Sequence, residues 1–197
     1  MSPTARVAVR LTAGFSVGLG LWLLFSLPYE RALAAGAEPI LRLLETPATT
    51  RLDARPGEIV VSRGDFPPAS PLPGLPAEDI HFDFVILVAL FATDGRPFRP
   101  ERVAAFGKAG ILLFLIHVAA LVFEVRFLYA TRLGAWSDAH YSVVARNFWA
   151  AGHHFYEIAG RFAAPFALWW LFKAEPRKPL DQPAGWKRRR RKPVRLS

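Results

Sequence analysis

The sequence predicts a mainly α, polytopic membrane protein, with about four transmembrane helices and a small external β and proline-rich insert between helices one and two. Three observations carry this. First, 52% of the 197 residues are hydrophobic, six are Trp and mean hydropathy is positive at +0.22, which is enough apolar sequence for several spans. Second, Leu11–Pro28 (LTAGFSVGLGLWLLFSLP) contains no charge and comes directly after Arg6 and Arg10. Third, the apolar stretch 158–172 (IAGRFAAPFALWWLF) is broken only by Arg161 and runs into a basic tail holding Arg177, Lys178, the Lys187–Lys192 run and Arg195. Basic flanks are retained on the cytoplasmic side, so the tail places the C-terminus inside. The organisation is therefore 1–28 as N-terminal segment and helix one, 29–79 as external insert, 80–173 as membrane domain, and 174–197 as basic tail.

Helix one starts inside on the same charge argument, and a cleaved signal peptide is its rival, because a basic stretch before an apolar run is common to both. Residues 29–46 put Leu33, Ala37, Ile40, Leu41 and Leu44 at roughly helical spacing, which reads as an interfacial helix. A plain continuation of helix one fits equally well. Pro39 is expected to kink or divide the segment. TTRLDARPGEIVVSRG then reads as two short strands about an Arg-Pro-Gly turn, and FPPASPLPGLPAED as an extended strap too rich in Pro for helix or central strand. From Tyr29 to Asp79 there are eight acidic residues against five basic ones, the reverse of the tail and suited to the outer face. Such a hairpin is marginal alone, so it is expected to pack on the membrane domain, on the IHFDF segment or on a partner.

Phe82–Thr93 (FDFVILVALFAT) is short for a span, but without it Arg96, Arg99, Arg102 and the C-terminal basic run would all lie outside. A short helix in a locally thinned bilayer is the smaller violation. Helix three is expected from about Val103 to Tyr129, with His117 as its mid-span polar group; Gly110, His117 and Glu124 share a face at seven-residue spacing. Helix four is expected over 147–172, with Trp136 and Tyr141 at one interface and Trp169 and Trp170 at the other.

The candidate site is an intramembrane polar network or partner contact formed by His117, Glu124, His153, His154, Glu157 and Arg161. His153, Glu157 and Arg161 stand at i, i+4, i+8, and His154 meets Glu157 at i+3. Glu157 ahead of Arg161 is the favourable order for an ion pair, and an unpaired charge at mid-membrane is costly. Three readings compete: a structural network joining helices three and four through His117, a contact for a membrane partner, and a metal, proton or catalytic site. H-H-x-x-E differs from the H-E-x-x-H zinc motif. If residues 141–157 instead form a wet external helix, with the span starting at Ile158, the two histidines are surface residues.

With no Cys in the chain, disulfides, thiolate metal sites and a cysteine nucleophile are excluded. The formal charge of +9 lies beside apolar segments and in the tail, so it points to topology and anionic lipid rather than nucleic acid. No phosphate-binding loop, dinucleotide fingerprint, nucleophile elbow or transporter-type repeat is present. Catalytic residues, cofactors and metal are therefore not assigned from sequence. The rival to a non-enzymatic role is a small membrane enzyme or a metal- or proton-handling protein using His153, His154 and Glu157.

The order of parts resembles the exosortase H-associated membrane proteins: an inner helix ending in LPYERALAAGAEPILRLLE, a β- and Pro-rich insert, an entry FDFVILVALFATDG, a helix with a mid-span polar group, and a histidine-bearing helix ending in LWWLFK. The likeness runs from about Leu11 to Lys173. It implies a bacterial inner-membrane accessory, both termini cytoplasmic, beside an exosortase that processes proteins with a C-terminal sorting signal before surface delivery. Exosortases resemble cysteine transpeptidases, and a chain without Cys cannot supply that nucleophile.

Overall fold

The computed structural model describes residues 1–66, 72–94 and 96–173; the basic tail 174–197, part of the Pro-rich strap and Gly95 lie outside the described residues. The fold is a helical bundle with a small sheet at one end. Helix α1 (Pro3–Leu43) opens with Pro3 in its first turn and with Ser2 Oγ accepting from Ala5 N at 3.2 Å, a capping arrangement that satisfies one of the first free N–H groups. At 1.5 Å per residue it is ~60 Å long. The sequence reading that ends helix one at Pro28 is corrected, and its alternative, a plain continuation of helix one, holds: Pro28 and Pro39 both sit inside one helix, which Pro39 does not divide. The far half continues because it has something to bury, with Leu33, Ala37 and Leu41 fully enclosed while Ile40 and Leu44 of the expected apolar face remain exposed.

Strands β1 (Arg51–Arg55) and β2 (Glu58–Ser62) form the expected hairpin, paired from Arg51↔Ser62 to Arg55↔Glu58. Pro56 leads the turn and Gly57 comes next with φ of +80°, the type II pattern that an L side chain at the second position resists. A third strand, β3 (Gly74–Pro76), pairs with β2 through Ile59↔Leu75. Its presence corrects the reading of the Pro-rich stretch as strap alone: an edge strand of three residues tolerates Pro at its end. Ile59, Val61 and Leu75 pack on Leu33, Ala37 and Leu41 of α1 and on residues from Val118 to Tyr129. The sheet thus shares its core with the bundle.

Polar contacts fix the same docking. Glu38 pairs with Arg42 at 2.6 Å and accepts from Leu52 N at 3.0 Å, while Arg42 Nε donates to Thr50 O at 2.9 Å. Arg63 pairs with Glu45 at 2.7 Å and with Asp65 at 2.8 Å, and its guanidinium lies over the rings of Tyr129 and Trp136. Thr50 Oγ1 joins Glu45 to the Tyr129 hydroxyl.

Helices α2 (Glu78–His81) and α3 (Asp83–Ala92) return along the first half of α1. Alone, α3 is only ~15 Å long. Its close approach depends on Gly14 and Gly18, because a Cβ at Gly14 would overlap the Ala92 side chain and one at Gly18 would meet Val85 O at 3.1 Å; small residues four apart are how helices meet closely in a bilayer. Helix α4 (Pro100–Thr131) crosses the bundle, the short α5 (Ala135–His140) turns the chain, and α6 (Val143–Phe155), a π turn (Tyr156–Gly160) and α7 (Arg161–Lys173) run back in one helical path. Leu87, Phe91, Ala105, Ala109, Leu113 and Leu168 form a second apolar core between α3, α4 and α7.

Among the described residues, two helices, Pro3–Leu43 and Pro100–Thr131, are long and apolar enough to cross a membrane. Leu24, Ile111 and Ile158 are 75, 67 and 77% exposed, a bare apolar surface better matched to lipid than to water. The start of α1, the end of α3, the start of α4 and the end of α7 share one end of the bundle: Gly14 meets Ala92, Arg102 pairs with Asp94 at 3.4 Å, and Arg102 donates to Lys173 O at 3.4 Å. That end carries Arg6, Arg10, Arg96, Arg99, Arg102 and Lys173.

Candidate functional site

Two clusters of histidine and carboxylate occupy the bundle, and they divide the expected polar network between them. The first lies between α1, α3 and α4. His117, fully buried, accepts a hydrogen bond at Nδ1 from the Tyr29 hydroxyl (2.7 Å) while its Nε2 stands 2.7 Å from Asp83 Oδ1. The second contact is off the line of a well-aligned hydrogen bond, and Asp83 Oδ2 has no hydrogen-bond partner. With the proton on Nε2, facing the carboxylate, Nδ1 is the acceptor and Tyr29 the donor. Beside it, Trp22 Nε1, which can only donate, gives its proton to His81 Nδ1 at 2.8 Å; His81 Nε2–H therefore points to Glu30 Oε1 at 3.4 Å. Glu30, His81 and Asp83 are each about 1% exposed. The Tyr156 hydroxyl closes the cluster from the π turn by donating to Ile80 O at 2.6 Å. A cavity of about 240 Å³ opens alongside, lined by Leu21, Trp22, Phe25, Ser26, Tyr29, His81 and Phe84.

The second cluster lies between α4 and α6, nearer the surface. His153, 7% exposed, stacks on Phe127 with ring centroids 4.1 Å apart. Its Nδ1 contacts Glu124 Oε2, and its Nε2 lies 3.3 Å from Glu157 Oε2. His154 Nδ1 reaches the same Glu157 oxygen at 3.4 Å. Glu124 is largely covered, whereas the side chains of His154 and Glu157 are more than half exposed.

Of the six residues expected together, Glu124, His153, His154 and Glu157 are brought together. His117 is not among them; Glu124, one heptad further along α4, makes the link to α6 through His153, which corrects the role given to His117. Arg161 is also elsewhere, paired with Asp79 at 3.1 Å. The expected Glu157–Arg161 ion pair is corrected by the π turn, in which Arg161 N–H bonds to Tyr156 O. An i→i+5 turn takes more residues per revolution, so Arg161 lags behind Glu157 around the axis instead of stacking over it.

Sequence reasoning missed Trp22, Tyr29, Glu30, His81 and Asp83. Their signal was available: His81 and Asp83 are the two polar residues of IHFDF, and Tyr29–Glu30 comes directly after a charge-free run. Polar residues at the margin of apolar segments read as topology markers until a neighbouring helix covers them.

Outside the bundle, the Arg63 hydrogen bond and charge hold the Asp65 carboxyl below the usual range against the opposing effect of burial. Burial would lower Arg63, but the hydrogen bond to Asp65 and the charges of Glu45 and Asp65 outweigh it and raise it.

Comparison with protein-family models, with curated proteins and with solved structures finds no match.

Proposed function

We propose that the chain is a four-span protein of the bacterial inner membrane, with both termini cytoplasmic, and that it serves as a non-enzymatic partner of an exosortase in processing C-terminal sorting signals for surface delivery. The observation that carries the topology is the shared basic end of the bundle. Retention of Lys and Arg on the cytoplasmic side orients that end inward, and the sheet with Glu38, Glu45, Asp53 and Asp65 then faces outward. In this reading α3 crosses as a short helix against Gly14 and Gly18, with local bilayer thinning making up the length. The helical path 143–173, ~45 Å long, provides the fourth crossing.

The non-enzymatic reading is supported by the way the deeply buried polar groups engage one another. Tyr29, His117 and Asp83 form one chain, which ties α1 to α4 and α3, and Trp22, His81 and Glu30 form another, which ties α1 to α2. The exosortase as partner rests on the resemblance in layout, and the docked sheet offers a surface on the side where a translocated substrate emerges.

Reporter fusions after Ser70, Gly95, Ala135 and Gly185 should read outside, inside, outside and inside; an external signal at Gly95 removes the second crossing. The chain, tagged and extracted in mild detergent, should retain a co-expressed exosortase but not an unrelated polytopic protein. Equal recovery of the two would sink the partnership while leaving the topology standing.

A further inference from the structure

We propose that His153 Nε2, His154 Nδ1 and the Glu157 carboxylate form a binding site for a borderline divalent cation of the zinc class. These three groups offer ligand atoms that all lie within 4.8 Å of one another. Bonds of ~2.0–2.2 Å in tetrahedral geometry place ligand atoms roughly 3.3–3.6 Å apart. The two separations across Glu157, 3.3 Å from His153 and 3.4 Å from His154, already match that edge. The two histidine ligand atoms, within 4.8 Å of each other, must close toward the same edge, and one ion held by the three groups keeps an open fourth position.

A second observation, independent of the ligand spacing, concerns the outer partner. Glu124 comes from a different helix and contacts His153 Nδ1, the nitrogen that would not bind the ion. Carboxylate–imidazole–metal chains of this kind fix the tautomer and ring orientation of a ligating histidine and raise its basicity. Phe127 adds a flat wall against the same ring. The imidazole is thus aimed from behind and from the side, while Nε2 is left facing His154 and Glu157.

The third feature is the π turn. Glu157 lies inside it and Arg161 at its end, and the altered rotation that carries Arg161 to Asp79 also removes a guanidinium from the neighbourhood of the cation. Two imidazoles and a carboxylate select zinc, cobalt, nickel or copper over magnesium and calcium, which favour all-oxygen shells. Binding here needs no membrane depth and no catalytic step, so it does not rest on the topology or on the exosortase partnership.

The test uses the full-length protein in detergent, stripped with chelator and titrated with Co²⁺ alone, then subjected to Zn²⁺ competition. Wild type should take up one Co²⁺ per chain, with the intense visible bands of a four-coordinate ion, and release it to Zn²⁺. His154→Ala and Glu157→Gln alter exposed side chains, so they should fold with unchanged circular dichroism and lose the bands. Glu124→Gln should keep the spectrum and bind about 10–100-fold more weakly, a graded loss that a purely structural carboxylate would not give. His140→Ala, at a histidine outside the cluster, should bind as wild type. A folded wild type without the bands, or with bands untouched by His154→Ala, overturns the site and leaves His153 as an imidazole bridging two carboxylates.

Discussion

The two histidine clusters use the same chemistry at different depths, and depth decides what each can do. In the inner cluster every ring nitrogen of His81 and His117 faces a group on another helix. Those nitrogens are unavailable to a ligand unless the bundle opens. In the outer cluster His153 and Glu124 are covered, and His154 and Glu157 project from a single helical path with more than half of each side chain exposed. A buried carboxylate–imidazole pair thus joins helices, while a half-exposed one leaves donors free to meet something from outside.

The largest effect that can break this comparison lies in the inner cluster. Asp83→Leu leaves His117 buried with an unmatched N–H, and removal of one partner from a buried pair costs about 3–5 kcal/mol. The monodisperse folded fraction in detergent should fall sharply. Adding His117→Leu should restore much of it, since neither polar group is then left alone. At the outer cluster Glu157→Gln should shift stability by no more than ~0.5 kcal/mol. Equal losses at Asp83 and Glu157 would erase the distinction between the clusters.

A smaller effect is expected where the sheet meets the bundle, and it depends on pH. The folded-state pKa of Asp65 is lowered by Arg63, so its contribution is present above the unfolded value of about 3.9 and is lost as pH falls through the folded value. Arg63, Glu45, Tyr129 and His140 are the charged or titratable groups facing this contact. Hydrogen exchange of the Arg51–Ser62 amides, corrected for intrinsic rates, should speed up as the solution is taken below pH ~4, and Asp65→Asn should flatten that dependence. Acceleration unchanged in Asp65→Asn would move the sensitivity to another carboxylate.

The smallest effect sharpens the assignment of Arg161. A double-mutant cycle of Arg161→Met with Asp79→Asn should return a coupling of about 0.2–1 kcal/mol, as exposed pairs do. The same cycle with Glu157→Gln should be additive within ~0.3–0.5 kcal/mol. Larger coupling to Glu157 would restore the i, i+4 pair and straighten the π turn into ordinary helix.

Much of the architecture was legible because it obeys local rules. The charge-free run after Arg10, the Arg-Pro-Gly turn between alternating strands, and the apolar centre GILLFLIHVAALVF each state their element without help from the rest of the chain. The grouping of Glu124 with His153, His154 and Glu157 was partly legible: spacing gave three of the four, and Glu124 came from the separate observation that it shares a heptad face with His117. What failed were inferences that carried ideal helix geometry past its range. Pro39 did not divide α1, because the buried Leu33, Ala37 and Leu41 hold the helix together on both sides of it.

By itself, then, the sequence determined that this chain has long apolar helices, a hairpin insert, basic residues concentrated beside apolar segments and in the tail, and no thiol chemistry, since these depend on composition and on spacing within one segment. Only the tertiary structure decided which polar residues meet. Tyr29 finds His117 across 88 positions and Arg161 finds Asp79 across 82, and no periodicity within a helix encodes such distances. The helix crossing set by Gly14 and Gly18 and the rotation introduced by the π turn choose those partners, because a few degrees about a helix axis decide whether a side chain faces a neighbour or the outside of the bundle.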